Sequence, residues 1–256
     1  MYSKVCMFGL LIIIIIFFSG CSFKSDTILK NNTYTVQGYY GDTIILITPT
    51  TKVGGFTSFF STNGITAAEY NQQLIQEGKN NCTLINGTYF GLLSGGFQPA
   101  GTITLYLGLH NKQIIPSTID PSLDQNLKTL VQYNSINNTV VFDKDNNIIR
   151  GIQFYAGPMI ITNNTINPNL STNTSHRNGK YPRTFLVQDY HNKTILGITT
   201  KKVSLTELGE KLKELFPSEK TSVINLDGGP STTLYNEYMS FNITDEKLPL
   251  WFSICE

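Results

Sequence analysis

Short apolar runs separated by glycine, asparagine and threonine make up most of the chain, and helical periodicity is confined to two stretches. GYYGDTIILITPTT (38–51) and VGGFTSFFS (53–61) are rich in β-branched and aromatic residues between glycines, the composition of strands. ITAAEYNQQLIQEGKN (65–80) predicts a helix with Ile65, Ala68, Leu74 and Ile75 on one face and Gly78 near its end. CTLING (82–87) reads as a short buried strand, and TYFGLLSGGFQPAG (88–101) as a glycine-rich loop. TITLYLGL (102–109), TVVFD (139–143) and IRGIQFYAGPMIIT (149–162) are further strands. Residues 162–180 are almost devoid of apolar side chains and predict a surface loop, a candidate lid. RTFLVQDY (183–190) and KTILGITT (193–200) predict a hairpin. SLTELGEKLKELF (204–216) is the clearest helix, with a Ser204–Glu207 capping box and a stripe of Leu205, Leu208, Leu212 and Leu215. TSVINLD (221–227) is a strand that delivers Asp227 to its end, and KLPLWFSIC (247–255) is the last. Strands with two interleaved helices predict an α+β chain: a single domain, a strand-rich mixed sheet and a few packed helices.

Composition adds bounds. The 256 residues, 40% hydrophobic and 14% charged, suffice for the core of one ordinary domain. Nineteen basic and eighteen acidic side chains give a net charge of +1, so no field points toward nucleic acid as a partner. The N-terminus changes the picture. Lys4 precedes the apolar run FGLLIIIIIFF (8–18) and then SGC (19–21), the pattern of a secretory signal and too short for the roughly 20 residues of a membrane span. FFSGCS resembles a bacterial lipobox, which implies lipidation of Cys21 and a membrane anchor of several acyl chains. An ordinary signal with an incidental cysteine is the alternative. On the lipoprotein reading, residues 1–20 are the signal peptide, 21–35 the lipidated cysteine and a polar tether, and 36–256 the domain. Cys82 and Cys255 remain after processing, either as a disulfide in an oxidising compartment or as two buried thiols. No cysteine or histidine spacing points to zinc. Asn-x-Ser/Thr sequons at Asn31, Asn81, Asn86, Asn137, Asn163, Asn169, Asn173, Asn192 and Asn242 keep a secreted glycoprotein open as a rival to the lipoprotein.

Chemistry concentrates in INLDGGPSTTLY (224–235). A buried strand ends at Asp227, and Gly228 and Gly229 can turn successive amides into a concavity for an anion, with Ser231, Thr232 and Thr233 adding hydroxyls. A carboxylate beside such a nest fits acid/base work or metal binding better than phosphate binding alone; an ordinary Asp-Gly turn is the other reading. LINGTYFG (84–91) repeats the arrangement with Asn86, Gly87 and Thr88. FYAGPMII (154–161) breaks at Gly157–Pro158, and YPRTFLVQD (181–189) offers Arg183, suited to bidentate phosphate contact, Thr184 and a further carboxylate, Asp189. Tyr89, Phe90 and Phe97 could stack on a sugar ring or fill the core. A Ser231 nucleophile lacks a partnered histidine among His110, His176 and His191, and GGPST is not a nucleophile elbow. His176 and Arg177 fall in the polar loop, near the site in sequence.

These segments, in the order ING, AGPM, PRT, helix and NLDGG-x-S, resemble the phosphodiester glycosidase family from about residue 81 to 255. Asn86–Gly87 match its NG motif, Gly157–Pro158 its GP motif, Arg183–Thr184 its RT pair, and Asn225, Asp227, Gly228, Gly229 and Ser231 its signature. The chain departs at Thr88 and at Pro230, where glycines are common in the family. The resemblance implies an exported hydrolase acting on the glycosidic bond of a sugar-1-phosphodiester, of the N-acetylglucosamine-1-phosphodiester kind or an envelope or host glycan. A non-catalytic glycan-binding surface lipoprotein is the alternative. On this reading Asp227, Asn86 and Arg183 are catalytic, with Gly87, Thr88, Gly157, Thr184, Gly228, Gly229, Ser231 and Thr232 binding substrate. No cofactor is evident, and a divalent cation such as calcium stays open at an Asp/Asn-lined site.

Overall fold

The computed structural model describes residues 25–30, 34–49, 57–117, 127–143, 148–171, 179–236, 240–242 and 245–255. The signal segment, Cys21, His176 and Arg177 lie outside them. Among the described residues twenty strands and two α-helices, α1 (Ala67–Gln76) and α2 (Leu205–Leu215), build a strand-rich domain. The strands lie in several sheets rather than one, and each strand pairing among the described residues is antiparallel.

The central sheet has eight strands. In it Ile44–Pro49 pairs with Thr194–Thr199, then Thr184–Gln188, then Ser222–Asn225, then Met159–Thr162. These strands are apolar at nearly every position because both faces are covered. Ile45 and Ile47 join a core shared with the other sheets, whereas Ile44 and Leu46 join a second core under α2. Phe185 and Val187 point to α2 and Leu186 points away, the period of a strand. α2 begins with the Ser204–Glu207 capping box, and Leu205, Leu208 and Leu212 are buried on the sheet.

Several local expectations are corrected. Segment 38–51 is not one strand: Tyr34–Tyr39 and Ile44–Pro49 form a hairpin, turned by Tyr40, Gly41 and Asp42 at positive φ. The predicted tether contributes Ser25–Lys30 and Tyr34 to the central sheet, so ordered structure starts before residue 36. Segment 88–101 is a hairpin of Phe90–Leu93 and Gly96–Pro99, not a loop. In α1 the buried face is Ala67, Tyr70, Asn71 and Leu74, while Ile75 is 51% exposed. Thr66 and Glu69 cap α1 reciprocally, a box the apolar pattern did not reveal. The polar loop is partly structured, with a 3-10 turn at Pro168–Ser171 that buries Leu170.

Cys82 and Cys255 form a disulfide. It closes the open ends of two paired strands, Thr83–Asn86 and Leu248–Ile254, whose register places Thr83 opposite Ile254.

Candidate active site

Antiparallel pairing explains why motifs far apart in sequence meet. Phe185 lies opposite Asn225 and Met159 opposite Ile224, so the starts of two strands flank the end of Ser222–Asn225. Arg183, Pro158 and Asp227 are therefore neighbours by register. The end of Thr83–Asn86 arrives from another sheet: Asn86 Nδ2 donates to the Asp227 carbonyl at 2.7 Å, and the Asp227 amide donates to the Gly87 carbonyl at 3.2 Å.

Above this junction is a cavity of about 560 Å³ whose walls include Tyr89, Phe90, Tyr181, Arg183, Asn225 and Asp227. Gly228, Gly229, Pro230, Ser231 and Glu246 complete the part that carries charge and hydrogen-bonding groups. The volume suits a small-molecule ligand. Asp227 is half-buried, and desolvation by the surrounding protein pushes its carboxyl up to about 7. Hydrogen bonds from the Ser231 hydroxyl and the Gly228 amide oppose that rise, and the nearby Glu246 charge adds to it. Arg183 is 5% exposed; its guanidinium donates to the carbonyls of Val203 (3.2 Å) and Gly179 (2.6 Å) and lies 5.3 Å from the Tyr181 ring centre. Burial pulls its pKa below the ordinary guanidinium value. Asn225 donates to the Tyr89 hydroxyl and to the Leu226 carbonyl at 2.8 Å, which fixes its amide and that aromatic wall.

The expected phosphate nest is closed. The Gly228 amide serves the Asp227 carboxylate, and the Gly229 amide donates to the Pro182 carbonyl at 2.9 Å. Pro230 has no amide proton to offer. Gly229 sits at φ +63°, and Gly228 lies 3.0 Å, measured from a would-be Cβ, from the Pro182 carbonyl. Both glycines thus allow the loop to fold against Pro182–Arg183 rather than to present amides.

Six predicted site residues lie outside the cavity wall. Asn86, 1% exposed, also accepts from the Thr184 hydroxyl at 2.8 Å and the Thr233 amide at 3.1 Å. It links its own strand to Asp227, Thr184 and Thr233. Gly87 packs under Leu250, and the Thr88 hydroxyl donates to the Tyr155 carbonyl at 2.6 Å. Gly157 receives the Asn225 side chain, and Thr184 and Thr232 are fully buried. Asp189, the further carboxylate, lies off this cavity wall and caps the hairpin turn, accepting from the amides of His191 (2.9 Å) and Lys193 (2.6 Å). Phe97 backs Phe90 edge-on at 5.0 Å. A buried Asn86 also cannot carry an oligosaccharide. Tyr181 and Glu246 were missed; the only signals for them were an aromatic just before PRT and an acid pair just before the last strand. Among the described residues no three His, Cys, Asp or Glu side chains cluster as metal ligands would.

The clamp makes a prediction. Asn86→Ala leaves buried groups on Thr184, Thr233 and the Asp227 carbonyl without partners, at a cost of about 3 kcal/mol. A urea midpoint well below wild type is the expected result; an unchanged midpoint with a raised KM would return Asn86 to the substrate.

A family model described as phosphodiester glycosidase matches residues 83–249, the span that holds every wall of the charged part of this cavity. The chain belongs to the phosphodiester glycosidase family. Within the family fold it is similar to the zebrafish N-acetylglucosamine-1-phosphodiester alpha-N-acetylglucosaminidase catalytic domain auto-inhibited by its pro-peptide, at 14% identity and a TM-score of 0.58, covering 91% of this chain and 83% of that one. It is also similar to a hypothetical protein from Synechocystis, at 13% identity and a TM-score of 0.56, covering 91% of this chain and 64% of that one. No curated protein matches it in sequence. In this phosphodiester glycosidase family member Asp227, Arg183 and Asn225 line the cavity, while Asn86, Gly157 and Thr184 form the layer beneath.

Proposed function

We propose that this protein is an exported hydrolase that cleaves the glycosidic bond of a sugar-1-phosphodiester. The observation that carries the reading is one cavity holding a buried guanidinium, Arg183, beside a carboxyl of high proton affinity, Asp227. Arg183 holds the phosphate, and Tyr89, Phe90 and Tyr181 offer faces to the sugar. Asp227 takes a proton from water as the water oxygen bonds to the anomeric carbon. The carbon–oxygen bond to phosphate breaks with its electron pair going to the phosphate oxygen, which leaves without needing a proton. The products are the free sugar and a phosphomonoester. The N-terminal signal supports export, with Cys21 as the point of lipid attachment; among the described residues no helix is long and apolar enough to cross a membrane.

The test is sugar release by the purified protein from UDP-N-acetylglucosamine and a panel of sugar-1-phosphate diesters, with and without EDTA. Turnover establishes the reaction class, and the EDTA arm decides metal dependence. Glycan binding without any turnover would instead support the non-catalytic reading. Arg183→Gln should raise KM roughly ten- to a hundred-fold by removing a charged hydrogen-bond donor, with partial recovery in Arg183→Lys. An unchanged KM would move the phosphate elsewhere.

A further inference from the structure

A second cavity, about 320 Å³, adjoins the first, and Glu246 lines both. Its other walls include Thr66 at the start of α1, Thr233, Tyr235 and Trp251. Glu246 is exposed, and no hydrogen bond or ion pair engages its carboxylate among the described residues. Its neighbour Lys247 is 3.7 Å from Glu69 on α1, and so is paired with another acid.

The backbone ties Glu246 to the reaction centre. The Gly87 amide donates to the Leu250 carbonyl at 2.9 Å, and the Gly87 carbonyl accepts from the Asp227 amide at 3.2 Å. Asp227 and the strand that begins just after Glu246 are thus fastened to the same residue. A Cβ at Gly87 would meet Leu250 at 2.4 Å, so the close approach of these segments depends on glycine.

We propose that Glu246 is the second carboxylate of the reaction centre, placed where the two cavities join and supporting the positive charge that develops on the sugar ring as its bond to phosphate breaks. This role rests on the sugar-1-phosphodiester reading above. Like charges keep the phosphate away from Glu246 and on the Arg183 side, so the pair orients the substrate: phosphate toward the guanidinium, ring toward the carboxylate. Preorganised charge of this sort lowers the barrier without moving during the reaction. The second cavity then receives what extends past the ring. Around Asp227 the charged and titratable groups of the cavity are Glu246, Arg183, Tyr89 and Tyr181, with the Ser231 hydroxyl and Gly228 amide bonded to it. Of these only Glu246 brings a second negative charge, which adds to the larger effect of burial in raising the proton affinity of Asp227.

The experiment compares wild type with Glu246→Gln, Glu246→Asp and, as a local-charge control, Lys247→Gln, on whichever diester the wild type turns over. Glu246→Gln should lose about a hundred-fold in kcat with little change in KM, and the acid limb of its pH–rate profile should move to lower pH. Glu246→Asp should recover part of the loss, and Lys247→Gln should match wild type. In the free protein, the Asp227 carboxyl followed by carbon NMR should titrate at lower pH in Glu246→Gln. Wild-type kcat and an unmoved Asp227 titration in a folded Glu246→Gln would overturn the proposal while leaving the phosphodiester reading intact. A wild type that turns over nothing on the panel would overturn that reading, and this role with it.

Discussion

Asp227→Asn should abolish sugar release, lowering kcat by about 10²- to 10⁴-fold, the range that a positioned acid/base group contributes. The substitution is nearly isosteric and leaves the Gly228 and Ser231 neighbours in place, so loss of activity would report chemistry rather than unfolding. The pH dependence has a definite sign. On the proposed mechanism Asp227 acts ionised, and burial, which disfavours the charge, pushes its carboxyl up to about 7. kcat/KM of the wild type should therefore rise through neutral pH and level off above it. Stability should run the other way. The folded-state value lies above that of the unfolded chain, so the folded state holds the proton more tightly. That contribution is present in full below the unfolded pKa and is lost as pH rises through about 7. Asp227→Asn should then be more stable than wild type at pH 8, by roughly 1.4 kcal/mol for each pKa unit of the shift. Thermal melts at pH 5 and pH 8 check this: a gain at pH 8 is expected, and equal melting temperatures at both pH values would mean that Asp227 is not desolvated. The same burial that would suit Asp227 to act as a base at neutral pH costs the fold stability there.

Breaking the disulfide should have the largest effect on stability. Cys82 and Cys255 are 173 residues apart in sequence, so their bridge restricts most of the unfolded chain. Its removal should cost about 2–5 kcal/mol. It also ties the start of Thr83–Asn86 to the end of Leu248–Ile254, and these strands hold Asn86 and Gly87 below Asp227. The double variant Cys82→Ser, Cys255→Ser should unfold at distinctly lower urea, and turnover should fail at a temperature the wild type tolerates. A midpoint within 0.5 kcal/mol of wild type, about the scale of an ordinary surface change, would show the bridge to be dispensable.

The legible parts of the chain were those in which local chemistry is self-sufficient. Ser204 and Glu207 close their capping box within four residues, and the leucines of α2 repeat at the helical period. The Thr184–Gln188 and Thr194–Thr199 hairpin needs only a short turn between apolar strands. The phosphodiester glycosidase resemblance was legible in the same way, as residue types in a fixed order, and the family model matches the chain over residues 83–249. Segment 88–101 misled because its many glycines belong to a hairpin, and α1 misled because Tyr70 and Asn71 are buried beside Leu74 where Ala68 and Ile75 were expected.

Site roles divide along the same line. By itself the sequence determined that Asp227 ends a buried strand beside two glycines, that Arg183 opens another, and that the strands outnumber the helices. Which groups face the cavity was decided by tertiary structure. Asn86 and Asp189 carry functional groups as suitable as any in the chain, yet one is consumed by Asp227, Thr184 and Thr233 and the other by a hairpin turn. The Gly229 amide, free on paper, is taken by Pro182. Glu246, inconspicuous in a charged stretch, stands at the junction of two cavities. The physical reason is that a hydrogen-bonding group has few bonds to give, and whether the fold or the ligand receives them depends on partners distant in sequence.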